Sequence, residues 1–274
     1  MIVFAAFTPH TPLLLPPIGK ESLQKMSSTA DAMDRLGDEL AASKPDTIVI
    51  ISAHATQHDG AFSANLHDSY LVDLRDFGDL TTAAEFEPNL SLIDAIQRAV
   101  RRAQIPFTLD SDATLDYGSA VPLVALDANH LLPTPSVGSN SGCTIVPISF
   151  CNLSPKDHFA FGKTLKDVFA NRKERIAVIA SGDLSHALTS HAPAGFHREG
   201  EVFDAAVRQA VVQGSASQLL TIDEEVVEKA AECAYRSLLV LFGVLDQVPT
   251  EPEVLSYESP FGVGYLVAQF RLDK

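Results

Sequence analysis

The sequence predicts an α/β protein: a three-layer αβα sandwich with a central, mostly parallel (mixed) sheet and an antiparallel hairpin at one edge. Three observations lead to this prediction. Short, predominantly apolar runs, such as residues 47–52 and 175–180, are typical of strands that are covered on both faces. Segments with helical spacing of apolar residues alternate with these runs, which indicates βα units and parallel pairing. The tail at residues 253–272 alternates in part and turns at residues 259–262, which predicts the edge hairpin.

The first half of the chain begins with a strand, a loop, a helix and a second strand. The proline-rich residues 8–19 cannot continue a ladder or a helix, so we expect a rigid loop that holds His10. Apolar residues then recur at helical spacing until Pro45 ends the pattern. In order, we predict a strand at 2–7, the loop, a helix at 20–43, strands at 47–52 and 61–66, an irregular excursion at 68–88, a helix at 92–103 and a strand at 105–109.

The second half continues the alternation and then becomes mainly helical. A loop at residues 190–197 is the best candidate for a lid over a binding site. No repeat or linker divides the chain, so we predict a single domain over residues 1–274. In order, we predict a helix that begins at Asp116, a surface connection at 129–142, a strand at 144–150, a helix at 155–171, a strand at 175–180, the loop, helices at 198–213 and 215–220, and one longer helix from Ile222 through Phe242.

Composition excludes several classes of function. The formal net charge of −15 would repel nucleic acid and other phosphate-rich surfaces. No apolar run is long enough to span a membrane, and the N-terminal residues are expected to form a strand and a loop, not a signal peptide. Cys143, Cys151 and Cys233 are an odd number without metal-type spacing, so disulfides are not indicated and we expect a cytoplasmic protein.

Three histidines each come directly after an apolar strand: His10, His54 and His186. The carboxyl ends of parallel strands meet at one edge of the sheet, where open α/β sheets bind their ligands, so these imidazoles are expected to converge. Two imidazoles and a carboxylate on one face of a metal ion leave open positions, as Fe(II) enzymes that use O₂ require. His10 and His54 are the candidate imidazole ligands.

Glu232 is the candidate carboxylate ligand, placed within the predicted long helix among small apolar neighbours. A carboxylate in such surroundings is costly to bury unless it is paired or bound to metal. The sequence leaves open whether Glu232 or Cys233 faces the metal, and whether Asp183 orients His186 or caps the turn. The other histidines are expected on loops or at the surface, with His191 and His197 as alternative pocket residues: His58, His67, His130, His158, His191 and His197.

Five short motifs, in order along nearly the whole chain, resemble the class III extradiol ring-cleavage dioxygenases of the catalytic (B) subunit type, together with their Memo-type relatives. The motifs are Pro9-His10-Thr11-Pro12, Ser52-Ala53-His54, Asp116-Tyr117-Gly118-Ser119-Ala120-Val121-Pro122, Ser181-Gly182-Asp183-Leu184-Ser185-His186 and Glu232-Cys233-Ala234-Tyr235-Arg236-Ser237. The alternative of a serine hydrolase is disfavoured because these serines lack the Gly-x-Ser-x-Gly elbow.

The resemblance implies a non-haem Fe(II), which zinc or another divalent ion would replace in crystals, held by His10, His54 and Glu232. His186 would be the acid–base histidine, and Tyr117 stands where several members carry a second histidine. The implied reaction is oxidative cleavage of a catechol by O₂ to an open-chain semialdehyde acid, in aromatic catabolism.

The implied partners are a small aromatic diol and O₂. We expect a homo-oligomer and leave open a small partner subunit. The runner-up is a Memo-like metal-binding redox or interaction protein without ring cleavage, which would use Cys233; a zinc hydrolase comes third.

Overall fold

The computed structural model describes residues 1–126 and 143–273. Its strands, numbered along the chain, are β1 (Ile2–Thr8), β2 (Thr47–Ser52), β3 (Phe62–Asn65), β4 (Tyr70–Leu71), β5 (Glu85–Phe86), β6 (Phe107–Asp110), β7 (Thr144–Ser149), β8 (Ile176–Ser181), β9 (Thr250–Glu258) and β10 (Tyr265–Leu272). Eight of them form one sheet in the order β6-β3-β7-β2-β8-β1-β10-β9, while β4 and β5 form a small separate pair. The predicted connection at residues 129–142 lies outside the described part of the chain.

The middle of the sheet is parallel. Strands β7, β2, β8 and β1 run side by side in the same direction, and every residue of β2 and β8 is buried. At one side, β10 pairs antiparallel with β1 and continues into β9, which forms the predicted edge hairpin. At the other side, β3 pairs antiparallel with β7. The carboxyl ends of β1, β2 and β8 therefore meet at one edge of the sheet.

Helices cover both faces of the sheet, so the predicted three-layer αβα sandwich is confirmed. Helices α3, α5, α6 and α9 pack on one face, and α2 and α4 pack on the other. The helices are α1 (Pro16–Gly19), α2 (Ser27–Ser43), α3 (Leu90–Arg102), α4 (Tyr117–Ala125), α5 (Pro155–Ala170), α6 (Arg198–Val212), α7 (Ala216–Leu220), α8 (Glu224–Ala230) and α9 (Tyr235–Val244). Within the described residues, no helix combines the length and the apolarity needed to span a bilayer.

The long helix predicted from Ile222 through Phe242 is wrong, because the chain breaks it into α8 and α9. Ala231 adopts a left-handed conformation with φ of 51° and ends α8. The backbone N–H of Cys233 then donates to the carbonyl of Asp183, 3.2 Å away, and not to its own helix. The break therefore draws residues 231–234 toward the end of β8.

Three smaller expectations also change. The loop at residues 8–19 contains two helical turns, Pro12–Leu14 and α1, and the helix predicted at residues 20–43 begins with a 3₁₀ segment, Lys20–Met26. His158, expected at the surface, is fully buried against Phe62. Both of its ring nitrogens lie near backbone carbonyl oxygens, and the neutral ring, which has one N–H, can donate to one of them.

Helices α5 and α9 approach each other closely at a pair of glycines. A β-carbon built on Gly162 would lie 2.1 Å from the carbonyl oxygen of Val240, and one built on Gly243 would lie 2.2 Å from the carbonyl oxygen of Phe159. Both obstacles are backbone atoms, which cannot rotate away. The distance between these helices therefore depends on the absence of side chains at the two positions.

We predict that Gly162→Ala destabilises the protein by about 1–3 kcal/mol, the usual cost of overpacking a tight core. Urea unfolding followed by circular dichroism measures the change. The matched control is Gly60→Ala, since a β-carbon there meets nothing within 4 Å. Equal stability of the two variants would contradict the close packing of α5 against α9.

Candidate metal centre

Four segments converge at the edge where the parallel strands end. His10 follows β1, His54 follows β2, and Ser181-Gly182-Asp183 closes β8. The fourth segment is the turn between α8 and α9, which carries Cys233. The two imidazoles expected to meet do so: His10 Nε2 and His54 Nε2 lie 3.0 Å apart.

Cys233 supplies the third donor atom. Its Sγ lies 3.2 Å from His10 Nε2, and the donor atoms of His10, His54 and Cys233 all lie within 4.8 Å of one another. Ligand atoms held about 2.0–2.3 Å from a shared ion are themselves separated by roughly 3–4 Å. The three side chains therefore have the spacing of a metal-ligand set. His10 forms the buried wall of this set, whereas solvent reaches His54 and Cys233.

A hydrogen-bond chain fixes the tautomer of His10. The Ser181 hydroxyl donates to the carbonyl oxygen of Gly118 at 2.5 Å, and the same Oγ lies 2.9 Å from His10 Nδ1. Because the hydroxyl has one proton and the carbonyl can only accept, Nδ1 must be the donor to Ser181. Neutral His10 therefore carries its proton on Nδ1 and directs a free lone pair from Nε2 into the site.

His54 is held from the side of α4. Its backbone N–H donates to the Ser52 hydroxyl, which in turn donates to Asp116, the residue that caps α4. The first residue of that helix, Tyr117, stacks on the His54 ring at a centroid distance of 4.2 Å, and its hydroxyl lies 2.8 Å from His54 Nε2. Gly118 packs against both His54 and Ser52. A β-carbon built on Gly118 would lie 2.4 Å from Ser52 Oγ, so a larger residue does not fit there.

Asp183 joins the loop of His10 to the turn of Cys233. Its Oδ1 accepts from the backbone N–H of His10 at 3.0 Å, and its Oδ2 lies 3.9 Å from His10 Nε2. Its backbone N–H points to Cys233 Sγ at 3.3 Å. The preceding Gly182 allows this approach, since a β-carbon there would lie 2.4 Å from the α-carbon of Ala234.

Glu232, the expected carboxylate ligand, does not join the cluster of His10, His54 and Cys233. Its Oε2 accepts from the backbone N–H groups of Ala234 and Tyr235, at 2.5 and 2.6 Å. The carboxylate thus satisfies free N–H groups at the start of α9, where the helix dipole also favours negative charge. Of the two alternatives that the sequence leaves open, the structure brings Cys233 to the histidines.

His186 lies beside the cluster without belonging to it. Its backbone N–H donates to the carbonyl of Ala230 at 2.9 Å, and its Nδ1 is buried without a hydrogen-bond partner among the described residues. Ser185, the residue before it, donates its backbone N–H to Oδ1 of the buried Asp204 at 2.8 Å. Tyr257 donates to the other oxygen of Asp204, at 2.7 Å.

Burial sets the charge state of the ligand set. It lowers the pKa of His10 to about 3, with a further contribution from the charge of His186, and lowers the pKa of His54 to about 4. Burial also raises the pKa of the Cys233 thiol and the pKa of the Tyr117 hydroxyl well above their ordinary values. Both imidazoles are therefore neutral at pH 7, and Tyr117 is a hydrogen-bond donor and not a base.

The donor set fits a transition-metal ion. Imidazole and thiolate bind iron, copper and zinc, whereas magnesium and calcium prefer oxygen ligands. Three protein donors leave further coordination positions for other molecules. A cation would also replace the proton of the Cys233 thiol, since coordinated thiols lose their protons.

Residues that the sequence argument had not assigned complete the site. Ser181, Ser52 and Gly118 carry no metal-binding chemistry of their own, and each lies within a motif next to a candidate ligand. His191 and His197 are exposed on the loop at residues 190–197, as expected, and do not belong to the ligand set.

Comparisons with known proteins give the family and the fold of the chain. The family described as "Catalytic LigB subunit of aromatic ring-opening dioxygenase" matches residues 4–268. Protein CA_C1420 of Clostridium acetobutylicum is 28% identical over 266 residues, which cover 94% of this chain and 55% of that protein. The chain thus spans about half the length of this curated relative. A crystal structure of the uncharacterized protein JW3007 from Escherichia coli K12 has the same fold, with a TM-score of 0.65, 21% identity and coverage of 97% of this chain and 99% of that one.

We predict that Cys233→Ala weakens metal binding, while Glu232→Gln leaves the affinity nearly unchanged. Losing an outer-shell partner already costs about 10–100-fold in metal affinity, so losing a donor atom costs at least as much. Competition with a chromophoric chelator measures the affinity, and Co(II) reports the thiolate through its charge-transfer absorption. Cys143→Ala, a buried thiol elsewhere in the core, is the control. Weakened binding in Glu232→Gln alone would mean that the carboxylate is the ligand.

We also predict a pH dependence of stability from Asp204, whose pKa is raised from 3.8 to about 6, chiefly by burial. The folded state holds this proton more tightly than the unfolded chain. Protonated Asp204 therefore contributes fully to the free energy of unfolding below about pH 4, and this contribution is lost as the pH rises through about 6. The loss amounts to about 2–3 kcal/mol. In metal-free protein, Asp204→Asn should remove this part of the decline in unfolding free energy between pH 4 and 7. Parallel stability curves for the variant and the wild type would refute the assignment.

Proposed function

The chain belongs to the family of the catalytic LigB subunit of aromatic ring-opening dioxygenases, and we propose that it is a non-haem Fe(II)-dependent extradiol dioxygenase that cleaves a catechol-type ring with O₂. The observation that carries this proposal is the convergence of His10 Nε2 and His54 Nε2, 3.0 Å apart, with His186 beside them. Non-haem Fe(II) oxygenases use two histidines, one carboxylate and open positions, and the pair of histidines is the part of that set that His10 and His54 match.

His10, His54 and a third donor from the turn at residues 232–233 would hold the iron. In the conformation described, Cys233 is that donor. When bound, the metal would lower the pKa of a phenolic hydroxyl and allow electron transfer from the aromatic ring to O₂. The substrate class that fits is a small aromatic diol, whose two adjacent hydroxyls can occupy neighbouring coordination positions.

His186 is the proposed acid–base residue. Its backbone is fixed to Ala230, and its buried Nδ1 has no partner among the described residues, so no described protein group is bonded to that nitrogen. An imidazole can accept a phenolic proton and later return it, which is the usual role of histidine in general acid–base catalysis. Asp183 is a positioning residue, because it holds the backbone N–H of His10.

Tyr117 would act as a hydrogen-bond donor to the bound substrate or to O₂. Its hydroxyl already lies 2.8 Å from His54 Nε2, at the mouth of the ligand set. Its raised pKa keeps the proton on the phenol, so proton transfer falls to His186. The free thiols of Cys143, Cys151 and Cys233 support a reducing, cytoplasmic location.

One observation favours a second candidate function, a metal-binding redox or interaction protein without ring cleavage. Cys233, a sulfur donor, stands in the ligand set where a carboxylate was expected. Thiolate ligands select copper(I), zinc and iron–sulfur clusters more strongly than a carboxylate does. The two candidates differ in turnover, because only the first consumes O₂ in proportion to a ring-opened product.

We predict that protein loaded with Fe(II) under anaerobic conditions converts at least one member of a catechol panel, on addition of O₂, to a yellow ring-opened product. His186→Ala should lower kcat by about 10²–10⁴-fold, the usual contribution of a general acid–base group, with metal content preserved. Product absorbance, O₂ consumption and metal analysis are measured together. Tight metal binding without product from any catechol would favour the second candidate, and loss of metal in His186→Ala would make His186 a ligand.

A further inference from the structure

The imidazole of His186 is held differently from that of His10. Nδ1 of His10 is fixed by the Ser181 hydroxyl, whereas Nδ1 of His186 is buried and has no hydrogen-bond partner among the described residues. A functional side chain is normally locked by packing and by hydrogen bonds around it, and here those hydrogen bonds belong to the backbone. The path of the main chain therefore determines how His186 is presented to the metal centre.

The main chain at residues 184–188 belongs to no helix or strand and is held from three sides. On one side, the N–H of Leu184 donates to the carbonyl of Gly264 at 2.8 Å, which joins the segment to the turn between β9 and β10. On the second side, the N–H of His186 donates to the carbonyl of Ala230 at 2.9 Å, at the end of α8. The third side is helix α6, where a side chain makes the contact.

That side chain is Asp204, a carboxylate on α6 with 2% of the residue exposed. Its Oδ1 accepts from the backbone N–H of Ser185 at 2.8 Å, directly before His186. Its Oδ2 accepts from the hydroxyl of Tyr257 on β9 at 2.7 Å. Both oxygens of the carboxylate are therefore engaged, and Asp204 ties the segment before His186 to α6 and to the edge hairpin at once.

Two glycines make room for this arrangement. A β-carbon built on Gly264 would lie 2.1 Å from Oδ2 of Asp204, and one built on Gly200 would lie 2.4 Å from Oγ of Ser185. Real β-carbons do not approach other atoms so closely, so a larger residue at either position would displace the carboxylate or the serine. The contact between Asp204 and Ser185 thus depends on the close approach of three separate segments.

Asp204 is an unfavourable residue for stability alone at neutral pH. Burial raises its pKa to about 6, so the ionised carboxylate at pH 7 is held against its preference for water. Arg208, one turn further along α6, offsets part of this cost, since its charge favours the ionised form and its guanidinium lies 4.3 Å from the centre of the Tyr257 ring. Buried titratable groups retained near a candidate site are often functional.

We propose that Asp204 is a positioning residue for His186, and that Tyr257 holds Asp204 in place for this role. The inference rests on the proposed function for the acid–base role of His186. Asp204 acts through the backbone of Ser185 and not through the metal ligands. Its loss should therefore misplace the imidazole while the metal stays bound.

Three variants separate positioning from general stability. Asp204→Ala removes the acceptor and should free the segment before His186. Asp204→Asn keeps an acceptor oxygen for the N–H of Ser185 and a polar partner for Tyr257, so it should behave like the wild type. Gly162→Ala is the matched control, because it is expected to destabilise the protein through the contact of α5 with α9, to which His186 does not belong.

The first readout is the imidazole NMR signal of His186 in oxygen-free protein loaded with Zn(II), assigned by its loss in His186→Ala. The wild type, Asp204→Asn and Gly162→Ala should each give one sharp signal at the same chemical shift, and Asp204→Ala should give a shifted or broadened one. With Fe(II) bound, Asp204→Ala should also lower kcat per bound iron about 10–100-fold, with KM and metal content nearly unchanged, because small misplacements of a catalytic group have effects of this size.

An unchanged His186 signal in Asp204→Ala would overturn the proposal, and so would an equal change in Gly162→Ala. If Asp204→Ala does not fold, Tyr257→Phe takes its place, because it leaves one oxygen of Asp204 unpaired and should alter the signal to a smaller extent. A wild-type signal in Tyr257→Phe would then overturn the proposal. An altered signal in Asp204→Ala, in a protein that opens no catechol ring, would refute the proposed function and leave the positioning of His186 by Asp204 intact.

Discussion

The hydroxyl of Ser181 joins three segments at the metal centre. It accepts from Nδ1 of His10 on the loop after β1, donates to the carbonyl of Gly118 at the start of α4, and itself ends β8. One side chain thereby fixes both the position of a ligand and its tautomer. Because Nδ1 carries the proton, Nε2 of His10 presents a lone pair 3.0 Å from Nε2 of His54.

The break between α8 and α9 decides the chemistry of the third donor. An unbroken helix would have kept residues 231–234 away from β8, whereas the left-handed Ala231 and the backbone contact from Cys233 to Asp183 bring the thiol to the histidines. The same turn gives Glu232 a different task at the start of α9. The identity of the metal and the kind of reaction therefore depend on two neighbouring residues that point in different directions.

Much of this architecture could be predicted from apolar patterning. The strands that deliver His10, His54 and Ser181 are short apolar runs ended by turn residues, and their shared direction follows from the helices between them. The break at Ala231 could not be predicted, because a left-handed alanine has no propensity signal. The residues on either side of it, Ala230 and Cys233, form hydrogen bonds with His186 and Asp183, which are distant in sequence. The position of Glu232 at the start of α9 could not be predicted either, because it follows from the same break.

Tertiary contacts also explain what the sequence argument did not identify. Ser181 is a common residue type, and only its position at the end of β8, between His10 and Gly118, gives it a role.

X-ray absorption spectroscopy of the protein loaded with one equivalent of Fe(II) tests the central claim most directly, because it reports the atoms bound to the ion without requiring turnover. The account predicts two imidazole nitrogens at about 2.0–2.2 Å, one sulfur at about 2.3 Å and lighter scatterers from water in the remaining positions. A shell made only of oxygen atoms, or failure to retain stoichiometric metal, would contradict a centre built on His10 and His54.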